Sequence, residues 1–274
     1  MTRGSSARRQ LLAALIPVLI ALVAVLLTEP TPARAPQLRR VESIFQDDDH
    51  LLYASTSTVT STLDVLRGLG VDRLRVTVLW KAIAPDPYAA SPPPAFNAAD
   101  PAAYAPAAWA PYDRLVDLAR ARGIGVDFDL TAPGPLWAMA RHAPAARYAD
   151  HWAPSVDAFE QFVQAVGTRY SGQYHAAVQS AALPRVGFWS VWNEPNQPGW
   201  LAPQWQTVDG RDVMEAPALY RGYVEAAWRG LALSGHSPAR DTILIGELAP
   251  EGSEGPSFDY RTPIPPMPFL RALY

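Results

Sequence analysis

The residues Phe188-Trp189-Ser190-Val191-Trp192-Asn193-Glu194-Pro195-Asn196 run from an apolar, strand-like stretch into a carboxylate flanked by an amide and a proline. A carboxylic acid at a strand end is held rigidly enough to be aimed. If its surroundings raise its pKa, it can hand a proton to a poor leaving group at neutral pH. Asn193 offers an amide beside it, and Pro195 fixes the exit of the chain. Arg75, in Leu74-Arg75-Val76, is the natural counter-ion. It would hold a partner carboxylate ionised, and that charge would in turn raise the pKa of Glu194. The plainer alternatives are a turn-capped strand end for Asn-Glu-Pro and a structural ion pair for Arg75. Trp80, Trp137 and Trp200 are candidate flat apolar platforms for a ligand, and equally candidates for core packing. Asp47, Asp48 and His50 line a pocket or form a solvated acidic turn, and Glu247 ends a later apolar run.

These residues must be positioned by an alternation of short β-like runs and amphipathic helices that begins near Glu42. Strands are expected at Ser43 to Gln46, Arg73 to Trp80, Ile124 to Leu130, Val186 to Trp192 and Thr242 to Gly246. The first helix is expected to be capped by Ser61 with Asp64, and the second to open at Pro111. A third carries Phe159, Phe162, Val163 and Val166, a fourth begins near Pro217, and another starts at Pro268. Long Pro/Ala-rich connections, Ala84 to Ala110 and Thr131 to Pro154, read as rim loops. Alternation of this kind predicts an α/β fold with a parallel sheet and right-handed crossovers. No Gly-rich turn follows the first strand, as a doubly wound nucleotide fold would need. A (β/α)8 TIM-barrel type fits better, because each expected strand empties into a polar or aromatic loop. Five βα units are countable, so the expectation is an incomplete barrel, truncated after its fifth strand.

The 274 residues are 49% hydrophobic, enough for a substantial core, and the net charge of −3 offers no basic face for nucleic acid. Absence of cysteine excludes disulfides, a thiolate nucleophile and Cys-ligated metal. The five histidines are scattered, and neither a serine nucleophile elbow nor a phosphate loop is present, so no metal or cofactor is implied. Arg3, Arg8 and Arg9 precede an apolar run from Leu11 to Leu27 that breaks at Thr28-Glu29-Pro30, ahead of Ala33-Arg34-Ala35. Residues 1–35 therefore read as a signal peptide, cleaved after Ala33, or as a membrane anchor through residues 11–28. Either places residues 36–274 outside the cytoplasm, secreted or held at the outer face of the cytoplasmic membrane.

The Trp-Asn-Glu-Pro segment ending the fourth strand, together with Arg75 and Trp80 on the second, resembles clan A of the glycoside hydrolases. These are retaining (β/α)8 enzymes that include cellulases, β-xylosidases and related β-glycosidases. Across roughly residues 41 to 250, the resemblance implies hydrolysis of O-glycosidic bonds in oligo- or polysaccharides. Glu194 is then the general acid/base, and Asn193 hydrogen-bonds a sugar 2-hydroxyl as oxocarbenium character develops. Arg75, Trp80, Trp137 and Glu247 become substrate-binding candidates. The family nucleophile is a Glu ending strand seven, which the resemblance leaves missing from this chain. Glu247 is a weak substitute for it, and Glu251 and Glu254, in a loop, are weaker. The alternatives are a catalytically incomplete, carbohydrate-binding or remnant barrel, and an anchored scaffold.

Overall fold

The computed structural model describes residues 41–176, 181–253, 255–256 and 260–274. The Leu11 to Leu27 run, the proposed leader and Glu254 lie outside the described residues. Among the described residues no helix is long and apolar enough to cross a membrane.

Five parallel strands follow one another across a single sheet: β1 (Ile44–Phe45), β2 (Arg73–Leu79), β3 (Gly125–Thr131), β4 (Phe188–Val191) and, after an intervening hairpin, β7 (Thr242–Leu244). Each new strand pairs with the one before it, Arg75 opposite Asp127, Asp129 opposite Ser190 and Ser190 opposite Leu244. This singly wound order is that of a (β/α) barrel; a doubly wound sheet would reverse direction after its first strands. The five βα units are those expected from the sequence.

Strand period decides which residues reach which face. Leu74, Val76, Val78, Val126, Phe128, Leu130, Trp189 and Val191 form one face and are buried under helices. Those helices are α1 (Thr56–Gly68), the short α2 (Trp80–Ile83), α3 (Pro106–Arg120), α4 (Val156–Arg169) and α5 (Ala216–Leu233). On α4, Phe159, Phe162, Val163 and Val166 are all fully buried, each contributing roughly 1.5–3 kcal/mol. Asp113 of α3 accepts from Arg169 Nε at 2.8 Å and from Tyr170 at 2.8 Å, locking α3 to the end of α4. The opposite face is polar, with Arg73, Arg75, Thr77, Asp127, Asp129, Thr131 and Ser190 at alternate positions. Gly125 opens β3, and the Arg73 guanidinium packs into the space beside it, where a Cβ would lie 2.7 Å from Arg73 Nη1.

Several expected boundaries move. The α1 cap is Ser55, whose side chain accepts from the Thr58 amide; Ser61 and Asp64 lie inside the helix. Pro106 occupies the first turn of α3, and Pro111 is carried within the helix. Trp80 leaves β2 to begin α2. The last helix, α6 (Pro266–Leu273), starts ahead of Pro268. A hairpin that sequence reading missed, β5 (Trp205–Val208) with β6 (Arg211–Met214), turns at Asp209 and Gly210, both left-handed at φ 51° and 74°.

Helices α4 and α5 cross closely at Gly230. A Cβ there would lie 2.6 Å from the Glu160 carbonyl oxygen, a backbone atom that cannot swing away. Gly230→Ala is therefore expected to destabilise the protein by about 1–3 kcal/mol, despite the better helix propensity of alanine. Urea unfolding checks this; a midpoint equal to or above that of the parent would contradict it.

Candidate active site

Strand ends β4 and β7 lie side by side, and the chain is strained where it leaves them. Trp192, Glu194 and Glu247 hold positive φ angles of 65°, 42° and 45°. Non-glycine residues rarely adopt this region, and such residues cluster at functional sites. The strain is held by packing and by hydrogen bonds. Trp192 stacks on Tyr223 of α5 at 4.5 Å between ring centroids, and its amide donates to Leu130 O at 3.0 Å. The Glu194 amide donates to Glu247 O at 3.0 Å, tying the two turns together. Tyr220 of α5 secures them from beneath. Its hydroxyl donates to Val191 O at 3.0 Å and accepts from the Gly246 amide at 2.8 Å. Fully buried Asn196 clamps the following loops, bonding Ala249 and Ile264 through both ends of its amide.

Arg75 is the hub of the polar face. Its Nη2 lies 2.8 Å from Glu247 Oε2, 3.0 Å from Asp129 Oδ2 and 3.0 Å from Asn193 Oδ1, while Nη1 donates to Gln46 Oε1 at 2.8 Å. Asn193 spends its oxygen on Arg75, which leaves its NH2 group for another acceptor. The Asn193 backbone amide donates to Thr131 Oγ1 at 2.9 Å. Ser190 Oγ is 2.9 Å from both Asp127 Oδ2 and Glu247 Oε1. One hydroxyl carries one proton, so the trio satisfies both contacts only when a carboxyl proton is shared with it. Burial pushes Asp127 up to about 6, against the Ser190 hydrogen bond. Burial pushes the fully buried Asp129 further, to about 8, against the pull of Arg75. The Glu194 carboxyl is half-buried and has no hydrogen-bond or ion-pair partner among the described residues.

Of the residues expected from sequence, Glu194, Asn193, Arg75 and Glu247 come together at this one place. Trp80 does not: it is wholly buried, stacked on Phe162 at 5.3 Å and tilted against Phe159, and offers no free face. Its platform role is corrected to core packing. Trp137 is half-buried on the rim, its indole nitrogen donating to Pro85 O at 3.0 Å. Trp200 is half-buried and accepts the Trp192 indole proton at its carbonyl. Asp48 accepts from the Thr77 amide at 3.2 Å and is raised by burial, whereas Asp47 and His50 form an exposed pair at 2.8 Å. Sequence reading missed Asp127, Asp129 and Ser190. The signal was there, in polar residues at every second position of strands whose other positions are apolar.

The raised Asp129 has a consequence for stability. Its folded value of about 8 lies above the ordinary 3.8, so the native state binds this proton more tightly than the unfolded chain. Its contribution is then fully present below pH about 4 and is lost as pH rises through about 8. Asp129→Asn removes that loss. The difference in melting temperature, variant minus parent, is expected to grow more positive from pH 5 to pH 8; a difference that stays flat or falls would contradict the assignment.

No protein-family model matches the chain, and no curated protein sequence matches it. Among solved structures, the chain is similar to the virulence factor SghA of Agrobacterium tumefaciens (23% identity, 69% of this chain, 36% of that one, TM-score 0.42). It is similar also to a glucosidase from Croceicoccus marinus (18% identity, 77% of this chain, 36% of that one, TM-score 0.43). A third is a β-glucosidase from Thermotoga maritima (16% identity, 69% of this chain, 37% of that one, TM-score 0.42). The chain thus spans little more than a third of the length of these three solved structures.

Proposed function

We propose that the protein hydrolyses O-glycosidic bonds of oligo- or polysaccharides with retention of configuration, Glu194 acting as general acid/base. One observation carries this reading: a carboxyl without a partner among the described residues, on a strained strand end, joined through its own backbone amide to a second strand-end glutamate bound by Arg75. In the first step Glu194 protonates the glycosidic oxygen as the bond to the anomeric carbon breaks. A carboxylate attacks that carbon from the opposite face and forms a glycosyl ester. Glu194, now ionised, takes a proton from water, whose oxygen displaces the ester and releases the sugar. The free NH2 group of Asn193 is suited to a sugar hydroxyl beside the reacting centre.

Glu247 is tied to Arg75 and Ser190, which suits a pocket wall; the nucleophile is then a carboxylate outside the described residues. A second reading gives that role to Glu247, favoured by its 2.8 Å contact with Arg75. Trapping with a 2-deoxy-2-fluoro glycoside and mapping the labelled peptide separates them. A label on a carboxylate outside the described residues supports the first reading and a label on Glu247 the second. Sugar binding with neither label nor turnover would leave a carbohydrate-binding barrel domain instead. The arginine-flanked apolar run supports export, secreted or anchored, and a mature amino terminus at Arg34 is the expected product if the leader is removed after Ala33. Sequencing the amino terminus of the exported protein checks it; an intact Met1 on membrane-bound protein favours the anchor.

A further inference from the structure

A cavity of 490 Å³ opens beside the β5–β6 hairpin, walled by Trp152, Trp205 and Tyr260 and by the polar side chains of Arg141, Asp212 and Glu215. Its size falls in the range of about 300–1,000 Å³ typical of ligand pockets. The cavity is built onto the loop that leaves Glu194. Fully buried Gln204 donates from Nε2 to Pro195 O at 2.9 Å, its backbone N–H donates to Tyr260 O at 2.8 Å, and its backbone carbonyl accepts from the Glu215 N–H at 2.9 Å. One residue thus joins the turn after Glu194, through its side chain, to two walls of the pocket, through its backbone.

The chemistry of the walls selects the occupant. Glu215 is 7% exposed; Arg141 binds its Oε1, but its buried Oε2 has no partner among the described residues. A buried carboxylate oxygen without a donor is costly, and a ligand that donates there would relieve that cost. Arg141 in turn has N–H groups that need acceptors. Trp152 and Tyr260 meet edge to face at 4.9 Å; Trp152 is buried and backs Tyr260, which is partly exposed and presents apolar ring surface. An anion would meet two carboxylates against one guanidinium. A cation would bring nothing for Arg141 to donate to. A neutral sugar ring supplies hydroxyl donors, hydroxyl acceptors and a C–H face together.

We propose that this cavity is a carbohydrate subsite that holds a neutral pyranose unit of the substrate, away from the bond that is cleaved. The proposal rests on the glycosidase reading of Glu194 for its substrate class, but it is tested by binding and not by turnover. Calorimetric titration of the Glu194→Gln protein with neutral hexasaccharides of β-glucan, β-xylan, β-mannan and α-glucan type is the experiment. One of them is expected to bind, and Tyr260→Ala and Glu215→Gln, each added to Glu194→Gln, are expected to weaken it about tenfold or more. Hydrogen-exchange protection of residues 203–215 by the bound sugar, which needs no subsite variant, keeps the test decisive if either variant fails to fold. Unchanged affinity in folded variants, absence of that protection, or no binding by any of the four sugars would overturn the subsite. The catalytic reading fails by a different route, if Glu194→Gln leaves turnover intact.

Discussion

Glu194→Gln is expected to lower kcat about 10²–10⁴-fold on glycosides with poor leaving groups, such as sugar–sugar bonds, and far less on activated nitrophenyl glycosides in the glycosylation step. The asymmetry follows from the chemistry. A nitrophenolate departs without a proton, whereas a sugar alkoxide needs one delivered as the bond breaks. The glutamine keeps the shape and the strained turn but has no proton of the right acidity to give. Pre-steady-state bursts on the two substrate classes measure the effect. Equal losses on both would point to a structural role for Glu194, and no loss on either would remove it from the chemistry.

Arg75→Met is expected to destabilise the fold by about 3–5 kcal/mol above pH 8, because it leaves carboxylates without their counter-charge. Two partners share the consequence unequally. Glu247 retains 22% side-chain exposure and can be solvated, while Asp129 has none. Below pH about 7 Asp129 escapes by taking up a proton, since burial already sets its value near 8. The loss should therefore shrink as pH falls, to that of the hydrogen bonds to Gln46 and Asn193, roughly 1–3 kcal/mol. Urea titrations at pH 6 and 9 test this. A loss that is the same at both values would mean that Asp129 is not the group left stranded.

Strand order and the strand-end position of Glu194 were legible because they rest on local signals: apolar runs, their spacing and the residues that end them. The meeting of Arg75 with Glu247 was not, since no local pattern marks contacts between the second and fifth strands of a sheet. Trp80 illustrates the limit differently. A tryptophan ending a strand reads the same whether it faces a ligand or a helix, and only the arrival of Phe159 and Phe162 from α4 decides it. The β5–β6 hairpin was missed although Asp209-Gly210, flanked by Val208 and Val213, carried a turn signal. The polar inner face was likewise written in the alternation of Arg73, Arg75 and Thr77 with leucine and valine. What burial does to Asp127 and Asp129 needed the third dimension.

The most direct test of Glu194 as the acid/base is azide rescue of Glu194→Ala on an activated aryl glycoside. A small anion fits the space left by the carboxylate and attacks the glycosyl ester without needing a base. Azide is expected to raise turnover and to yield a glycosyl azide of the same anomeric configuration as the substrate. Unchanged turnover with no azide product, from a variant that still forms the ester, would contradict it.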